Sequence, residues 1–498
     1  MDSRLVKRNM IATILLQIVT MICGFVIPQV TLRCFGSEVN GLCNSISQFL
    51  NVIALLEGGA TSVVSANLYK PIINNGVKKI NGVVAASNKF FKSLSFIFAV
   101  YAVVLGLVYP LLKNVPFNYE YVVALIWTIG FSTFIQYAYA FSYRILLRAG
   151  QRVYIVSYIQ IIFNILNAVS IVVIANSTKN VLLSRIGSSV VFLIQPVLLS
   201  YFANRYFPLQ KDAKPDETAL SQRWDSFGQN IAYYIHSNTD IVILTIFSTF
   251  LEISVYTVHS GIISAIRGVT MSISTAFAPT LGSVLAGTDE QKKRDIFSIY
   301  TFIVWVITTV IFCTTIVMIE PFIAIYTEGI NDVDYFKYLF AVFLTCAEAV
   351  YCLRDPYISA IYSSGHFKQT TKSAYFEAGL NILISLLLVK KFGIEGVAFG
   401  TLLGMTYRMI YSAVYVNNTL IKNTIGMFRK TSLALLCLIL VNIVIGSFAN
   451  SLIISTYLQW MLVSCGVVLL NAVFVGALSI TLFKTTAKRA IHNLRRKS

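Results

Sequence analysis

The chain has 498 residues, of which 56% are hydrophobic and only 12% are charged. A soluble globular domain carries about 25% charged residues, and a chain of this length cannot bury so much apolar surface in one water-surrounded core. The composition therefore excludes an ordinary soluble protein, a disordered chain and a disulfide scaffold. The formal net charge of +18 indicates basic cytoplasmic loops here, and no nucleic-acid partner is expected.

Apolar stretches of about 20 residues, the length that crosses a bilayer as a helix, recur from one end of the chain to the other. The first stretch is too long for a signal peptide and lacks a clear cleavage site, so we interpret it as a retained span. An even number of spans places both termini on one side of the membrane. The fourteen predicted spans are 10–32, 42–66, 93–112, 120–143, 153–175, 181–203, 226–249, 255–285, 297–319, 336–361, 374–390, 395–417, 432–449 and 458–483.

The basic residues between the spans decide which side that is. With both termini inside, the cytoplasmic segments hold 29 Lys and Arg residues and the outer segments hold 6. Because basic residues collect in cytoplasmic loops, this asymmetry predicts cytoplasmic termini. We expect a multi-pass protein of the plasma membrane whose basic tail lies on anionic lipid headgroups.

The predicted organisation is an all-α polytopic membrane protein with two six-helix lobes and two C-terminal helices. Its expected parts are an N-terminal lobe (1–203), a polar cytoplasmic linker (204–225), a C-terminal lobe (226–417) and a final pair of spans with the tail (418–498).

A weak internal repeat supports the duplication. A glycine, an Asn-Ile-Leu triplet and a second glycine recur with an Asn-to-Gly spacing of 23 in both copies, at Gly150, Asn164 and Gly187 and again at Gly365, Asn381 and Gly404. Parallel repeats of this kind are typical of transporters, with the site between the halves.

Ionisable residues inside spans mark the candidate chemistry, because a charge in the bilayer is costly and normally faces a cavity or a partner. They are Glu57, Asp240, Arg267, Glu348, Arg354, Asp355 and Arg408. Arg267 lies about 18 Å into its span at 1.5 Å per residue, which is near the midplane. A structural ion pair between Asp240 and Arg267 is the alternative interpretation. Glu348 and Asp355 share a helix face, and they either bind an ion or neutralise Arg354 and Arg408.

Polar residues at helical spacing accompany these charges, including Gln17 in span one, Asn51 in span two, Asn230 and Ser237 in span seven and Thr270 in span eight. Cavity lining and interhelical packing are equally good explanations in the first two spans. In span eight Arg267 favours a cavity. His259, near the outer end of that span, is expected to be an interfacial hydrogen-bond donor.

Signatures of enzymes are missing from the sequence. No phosphate-binding loop, nucleophile elbow, zinc-protease motif or dinucleotide fingerprint occurs, and the eight scattered cysteines show no metal-binding spacing. We therefore expect no enzyme and no metal. Cys34 and Cys43 flank a predicted outer loop, and their pairing is left open.

Several short motifs together resemble a known family. The turn Leu32-Arg33-Cys34-Phe35-Gly36-Ser37-Glu38-Val39-Asn40-Gly41-Leu42, the segment Leu55-Leu56-Glu57-Gly58-Gly59-Ala60, the stretch Asn67-Leu68-Tyr69-Lys70-Pro71-Ile72, the run Ser237-Asn238-Thr239-Asp240-Ile241-Val242-Ile243-Leu244 with Val255-Tyr256, and Ala278-Pro279 are similar to motifs of Wzx-type polysaccharide repeat-unit flippases. Phe35 stands where that family usually has Leu. The resemblance implies the multidrug/oligosaccharidyl-lipid/polysaccharide (MOP) exporter fold, with two six-helix lobes around a cavity.

The same resemblance implies the substrate, an oligosaccharide on undecaprenyl diphosphate that moves from the cytoplasmic to the outer leaflet. Related flippases place arginines in the cavity, a role that Arg267 matches by location, and guanidinium groups suit phosphate oxygens. The candidate substrate-binding residues are Arg267, Arg408, Gln17, Asn51, Asn230, Ser237 and Thr270. Polysaccharide polymerase machinery and membrane lipids are the expected partners.

Energy for transport has to come from an ion gradient or from the substrate gradient, because no ATP site exists. No cofactor is expected beyond H⁺ or Na⁺ as a coupling ion, for which Asp240, Glu348 and Asp355 are the candidates. Two alternatives stay open at this point. One is a drug/cation antiporter of the same superfamily, and the other is an integral-membrane glycosyltransferase or polymerase.

Overall fold

Helices make up nearly all of the part of the chain that the computed structural model describes, which is residues 3–112, 115–210, 213–220, 238–275, 277–285, 287–449, 454–484 and 486. Within these ranges there is no β-strand. The α-helices there are α1 (Ser3–Phe35), α2 (Ser37–Leu50), α3 (Ile53–Ile73), α4 (Val77–Val108), α5 (Tyr119–Tyr139), α6 (Phe141–Ala149), α7 (Val153–Thr178), α8 (Val181–Tyr206), α9 (Asn238–Phe247), α10 (Phe250–Thr275), α11 (Ala278–Leu285), α12 (Glu290–Tyr326), α13 (Tyr338–Ser363), α14 (Phe367–Tyr415), α15 (Ile425–Ala449) and α16 (Tyr457–Leu482).

Within the described residues the predicted spans fall on these helices, and residues 226–237 of span seven lie outside that part of the chain. Span two is broken into α2 and α3 at Asn51 and Val52, and span four is broken into α5 and α6 at Ala140. Eight described helices are long and apolar enough to cross a membrane. α13 is not among them, because every stretch of 18 residues within it contains Glu348, Arg354 and Asp355. The expected all-α, multi-pass membrane architecture is confirmed.

Two glycines of the α1–α2 turn have structural reasons to be glycine. Gly36 ends α1 with φ +84°, a backbone conformation that L side chains rarely adopt. Gly41 lies against the backbone of Phe250, where an added Cβ would come within 1.8 Å of the carbonyl oxygen. The spacing of the turn motif therefore reflects one sharp turn and one close helix approach.

The described chain divides into two compact units, Met1–Ser254 (unit 1) and Val255–Ser498 (unit 2). The division falls inside α10, and the functional boundary at 204–225 stays a prediction. In unit 1, α2 packs on α9 and on the start of α10 through buried polar contacts. Asn40 donates to Ser254 Oγ at 2.8 Å, and the hydroxyls of Ser45 and Thr245 are 2.6 Å apart.

The described part of the predicted linker lies on α3 and α4 of unit 1. The Asp216 backbone N–H donates to the Gly82 carbonyl at 3.0 Å, and the Asn67 amide donates to the Ala219 carbonyl at 3.0 Å. These contacts fix the segment to its own bundle, although its polar, proline-bearing sequence predicts only a connection between bundles.

In unit 2, the 37-residue helix α12 packs against α13, α15 and α16. Its side chains Trp305 and Phe312 are fully buried, as is Phe340 of α13. Truncation of a buried aromatic side chain to Ala typically costs about 3–5 kcal/mol. This packing gives the helices that carry the charged residues a rigid support.

The second glycine of each repeat lies against the preceding helix of its own unit. Gly187 of α8 approaches Ser170 and Ile174 of α7. Gly404 approaches Glu377 and Asn381 across the kink at Gly393, where φ is +52° and α14 reverses direction between predicted spans eleven and twelve. A Cβ at either glycine would crowd the preceding helix, which gives the repeat a packing explanation.

Candidate functional site

An arginine–glutamate pair joins α10 to α13 inside unit 2. Arg267 Nη1 donates to both carboxylate oxygens of Glu348, at 2.9 Å to Oε1 and 3.1 Å to Oε2. The side chain of Arg267 is 30% exposed and that of Glu348 is 10% exposed. The guanidinium is thus held by a carboxylate and still reaches open space, the combination that a binding group needs.

The ring of Tyr351 contacts two guanidinium groups. Arg267 Cζ lies 5.2 Å from the ring centroid and Arg354 Cζ lies 4.4 Å from it. Cation–π contacts at this distance orient a guanidinium without neutralising its charge. One turn of α13 therefore carries both the carboxylate and the aromatic ring that position Arg267.

A second group of charges centres on Glu377 of α14. Arg354 Nη1 lies 2.6 Å from Glu377 Oε1, and Arg408 Nε lies 3.8 Å from Oε2. Arg408 also donates to the Thr370 carbonyl at 3.0 Å and to the Ser373 hydroxyl, and it is only 5% exposed. These contacts favour a structural role for Arg408 over the substrate contact expected from the sequence.

Glu377 itself was missed by the sequence analysis. Its signal was available, because it is an acid just inside a predicted span, the same signal that singled out Glu348. Of the two interpretations left open for Glu348 and Asp355, neutralisation of Arg354 and Arg408 is not what the structure shows, since Glu377 pairs with both arginines. Asp355 instead accepts hydrogen bonds from Ser274 Oγ at 2.6 Å and from the Tyr300 hydroxyl at 2.9 Å.

Three arginines and three acids thus lie in one part of unit 2, which we call the charged cluster. Its members are Arg267, Arg354, Arg408, Glu348, Asp355 and Glu377. Their formal charges sum to zero when all are ionised. Any step that removes or protonates one acid leaves a net positive charge, which is the condition for holding an anion at Arg267.

The remaining candidate residues lie apart from these contacts. Thr270 is buried, and its hydroxyl donates to the Ile266 carbonyl of its own helix at 3.1 Å. In unit 1, Gln17 and Asn51 are exposed and Asp240 is buried. Asn230 and Ser237 fall outside the described residues. Of the candidates, the structure therefore places Arg267, Arg408, Glu348 and Asp355 in the charged cluster, and only Arg267 and Glu348 pair directly with each other.

Glu57 has a partner in its own unit, since the Tyr137 hydroxyl donates to its carboxylate at 2.5 Å.

Cys34 and Cys43 are both free thiols in the structure. Among the described residues, no group of three or more His, Cys, Asp or Glu side chains could hold a metal ion.

The fold is shared with solved membrane transporters at low sequence identity. The lipid II flippase MurJ in an inward closed conformation matches with a TM-score of 0.72 and 15% identity, over 95% of this chain and 99% of that chain. A MATE-family multidrug resistance transporter of the MOP superfamily, inward-facing, matches with a TM-score of 0.60 and 13% identity over 81% of this chain and 94% of that chain. The MATE multidrug transporter DinF-BH matches with a TM-score of 0.61 and 15% identity, over 84% and 96% of the two chains.

These similarities confirm the expected MOP-exporter fold. No protein-family model matches the chain, and no curated protein matches it by sequence.

Proposed function

We propose that this protein is a flippase that moves undecaprenyl-diphosphate-linked oligosaccharide from the inner to the outer leaflet by alternating access. The observation that carries the proposal is the Arg267–Glu348 pair, a half-open guanidinium held by a carboxylate in the membrane region. The fold shared with a lipid II flippase supports the choice of a lipid-linked substrate.

The pair offers a diphosphate a defined place to bind. Phosphate oxygens accept two parallel hydrogen bonds from a guanidinium, and such charge-assisted bonds are roughly twice as strong as neutral ones. A diphosphate at Arg267 therefore competes with Glu348 for the same donors. Arg354 and Arg408 keep Glu377 as their shared counter-ion during this exchange.

The competition links substrate binding to protons. A Glu348 carboxylate that has lost its arginine would be a mostly buried charge without its partner, which is unfavourable. Uptake of a proton removes that charge, so diphosphate binding at Arg267 favours protonation of Glu348. This linkage makes H⁺ our preferred coupling ion, and Glu348 our preferred candidate among Glu348, Asp240 and Asp355.

The proposal also includes the orientation of the chain in the plasma membrane and the proteins that supply and consume its substrate. Both termini lie in the cytoplasm of a cell whose plasma membrane holds the protein, as the distribution of 29 and 6 basic residues indicates. The substrate would come from enzymes that build lipid-linked sugars and would pass to polysaccharide polymerase machinery. The protein itself acts without catalysing a covalent reaction.

A drug/cation antiporter is the second candidate, because multidrug transporters share the fold. In that case an organic cation would bind Glu348 or Asp355, and Arg267 would be its competitor. A cation thus needs the carboxylate of the pair, whereas a lipid diphosphate needs its guanidinium. Transport of the two kinds of substrate can therefore be separated by experiment.

The test uses purified protein in proteoliposomes without any sugar donor. One assay follows a fluorescent undecaprenyl-diphosphate oligosaccharide across the bilayer, and the other follows a cationic dye. We expect lipid-linked oligosaccharide to cross and the dye to stay. Dye transport without oligosaccharide transport would replace the proposal by the antiporter, and new glycosidic bonds on adding a sugar donor would identify an enzyme.

A further inference from the structure

A histidine and a glutamate face each other deep inside unit 2, away from the charged cluster. His259 of α10 is 0% exposed and Glu320 of α12 is 2% exposed, and Nε2 lies 3.5 Å from Oε1. The ring of Phe340 packs edge-on against the imidazole at 5.1 Å. This burial overturns the expectation of an interfacial donor, because no surface of the imidazole reaches a membrane interface.

The hydrogen bonds around His259 fix the number of protons that the pair requires. Nδ1 lies 2.9 Å from the Val255 carbonyl oxygen, and since a carbonyl only accepts, Nδ1 carries a hydrogen. A neutral imidazole in this tautomer turns the lone pair of Nε2 towards Glu320. An ionised carboxylate there would set two acceptors against each other, so a stable contact needs one more proton, on Nε2 or on Glu320.

The pair has unsatisfied acceptor atoms that can bind this proton. Within the part of the chain that the structure describes, His259 Nε2 and Glu320 Oε2 are buried atoms without a hydrogen-bond partner. Glu320 Oε1 also accepts the backbone N–H of Lys337 at 3.2 Å. The pair therefore has two buried proton acceptors that its surroundings do not satisfy, and an unsatisfied buried acceptor is unfavourable.

A cavity of about 630 Å³ is lined by Glu320 and by the acidic segment after α12. Glu320 is the buried acid of its lining, and Glu328, Asp332 and Asp334 are acids of the same lining in the segment that follows. Clustered carboxylates attract cations and raise their local concentration. Protons can thus be collected at these acids and delivered to Glu320.

Other titratable or charged groups face the pair from the elements packed around it. They are Tyr256 of α10, Tyr338 of α13, and Glu328, Asp332, Asp334, Tyr335 and Lys337 of the 327–337 segment. The Tyr338 hydroxyl donates to the Ile443 carbonyl at 2.7 Å, so its proton is engaged elsewhere. Lys337 contributes its backbone N–H to Glu320, which ties the segment to the same carboxylate.

We propose that His259 and Glu320 form a proton-binding site, loaded through the acidic cavity, that links proton movement to the position of α10. That helix carries Arg267 eight residues further on, about 12 Å along the axis at 1.5 Å per residue. When the shared proton is lost, two acceptors face each other and the contact between α10 and α12 becomes unfavourable. α10 is also the helix that presents Arg267 to substrate. The proton site rests on geometry alone, and its coupling role rests on the proposed transport function.

The first test reads proton binding without transport. The variant in which His236, His366 and His492 are replaced by Gln leaves His259 as the single histidine, and its imidazole nitrogens are followed by ¹⁵N NMR from about pH 5 to about pH 9. We expect a transition that Glu320→Gln displaces by about one pH unit or more and that the matched control Glu290→Gln, at an exposed acid in the first turn of the same helix, leaves in place. An imidazole that stays in one state throughout, or that responds equally to both substitutions, overturns the site.

The second test reads coupling in proteoliposomes with an imposed pH gradient. With one proton per substrate, the accumulation ratio changes about tenfold per pH unit. Glu320→Gln should keep exchange down the substrate gradient and lose this response, whereas the control Glu290→Gln should keep both. A full response in Glu320→Gln overturns the coupling role and leaves the flippase intact. Absence of flipping in the wild type would instead refute the proposed function while the NMR titration still decides the site.

Discussion

Arg267 and Glu348 face each other across α10 and α13, with one guanidinium nitrogen within 3.1 Å of both carboxylate oxygens. The two side chains are not equally enclosed, since Arg267 is 30% exposed and Glu348 10%. Arg267 is therefore the residue of the pair that a ligand can contact, and Glu348 is the residue that positions its guanidinium.

Neutralising the acid should uncouple transport from protons. In Glu348→Gln, the amide keeps the shape of the side chain but cannot be ionised, so substrate no longer competes with a carboxylate for Arg267. We expect oligosaccharide exchange to continue and its response to an imposed pH gradient, about tenfold per pH unit for one coupled proton, to be lost. Proteoliposome flipping with and without the gradient measures this. Asp355→Asn is the matched control, because its acid accepts from two hydroxyls rather than from an arginine. A retained gradient response in Glu348→Gln would remove Glu348 as the coupling acid.

Removal of the shared counter-ion on α14 should destabilise the protein more than removal of an exposed acid. Glu377→Ala leaves Arg354 and Arg408, both largely buried, without their carboxylate. Breaking a buried pair from one side costs about 3–5 kcal/mol. We expect a clear fall of the thermal unfolding temperature in detergent, while Glu290→Ala, at an exposed acid with only an i,i+3 partner, should change it little. Equal unfolding temperatures for the two variants would show that the group around Glu377 is not structural.

The Arg267–Glu348 pair should show energetic coupling. Arg267→Ala strands a mostly buried carboxylate, and with the arginine partly exposed we expect a cost of about 1–3 kcal/mol, below that of a fully buried pair. The double variant Arg267→Ala with Glu348→Gln should recover most of this loss, as a double-mutant cycle measured by denaturant unfolding would show. Strictly additive effects on the free energy of unfolding would mean that the interaction between Arg267 and Glu348 does not stabilise the protein.

The topology can be tested at two exposed positions. Asn331, in the segment after α12, and Lys214, in the segment on α4, are both exposed. In a cysteine-free background, an impermeant thiol reagent added outside intact cells should label a cysteine at position 331 and miss one at 214. Outside labelling at position 214 would invert the orientation that the basic residues predict.

The helices could be predicted because bilayer-length apolar stretches need no tertiary information. The breaks could not, since Ala140 divides α5 from α6 and Val52 lies in the turn between α2 and α3 without any glycine or proline there. Gly393 was a usable sign of the reversal inside α14, because spans eleven and twelve were already separated at that position.

The charged residues of the site could be predicted from the sequence, but the pairs that they form could not. An intramembrane charge identifies Arg267 and Glu348 from sequence alone, but which acid meets which arginine depends on helix rotation and packing. Asp355 and Glu348 share a helix face, yet one accepts from hydroxyls and the other from a guanidinium. His259 was misread for the same reason, since its partner Glu320 lies 61 residues away and outside the span as predicted.

If Arg267 receives the substrate diphosphate, a folded protein that lacks this arginine should no longer flip lipid-linked oligosaccharide at the wild-type rate. The double variant Arg267→Ala with Glu348→Gln removes the guanidinium without stranding a carboxylate, and Arg205→Ala, at an exposed arginine at the end of α8, is the matched control. In proteoliposomes with a labelled undecaprenyl-diphosphate oligosaccharide, we expect flipping to fall at least about tenfold in the double variant, equivalent to the loss of about 1.4 kcal/mol or more. The control should flip at the wild-type rate. Wild-type flipping by the folded double variant would contradict the account.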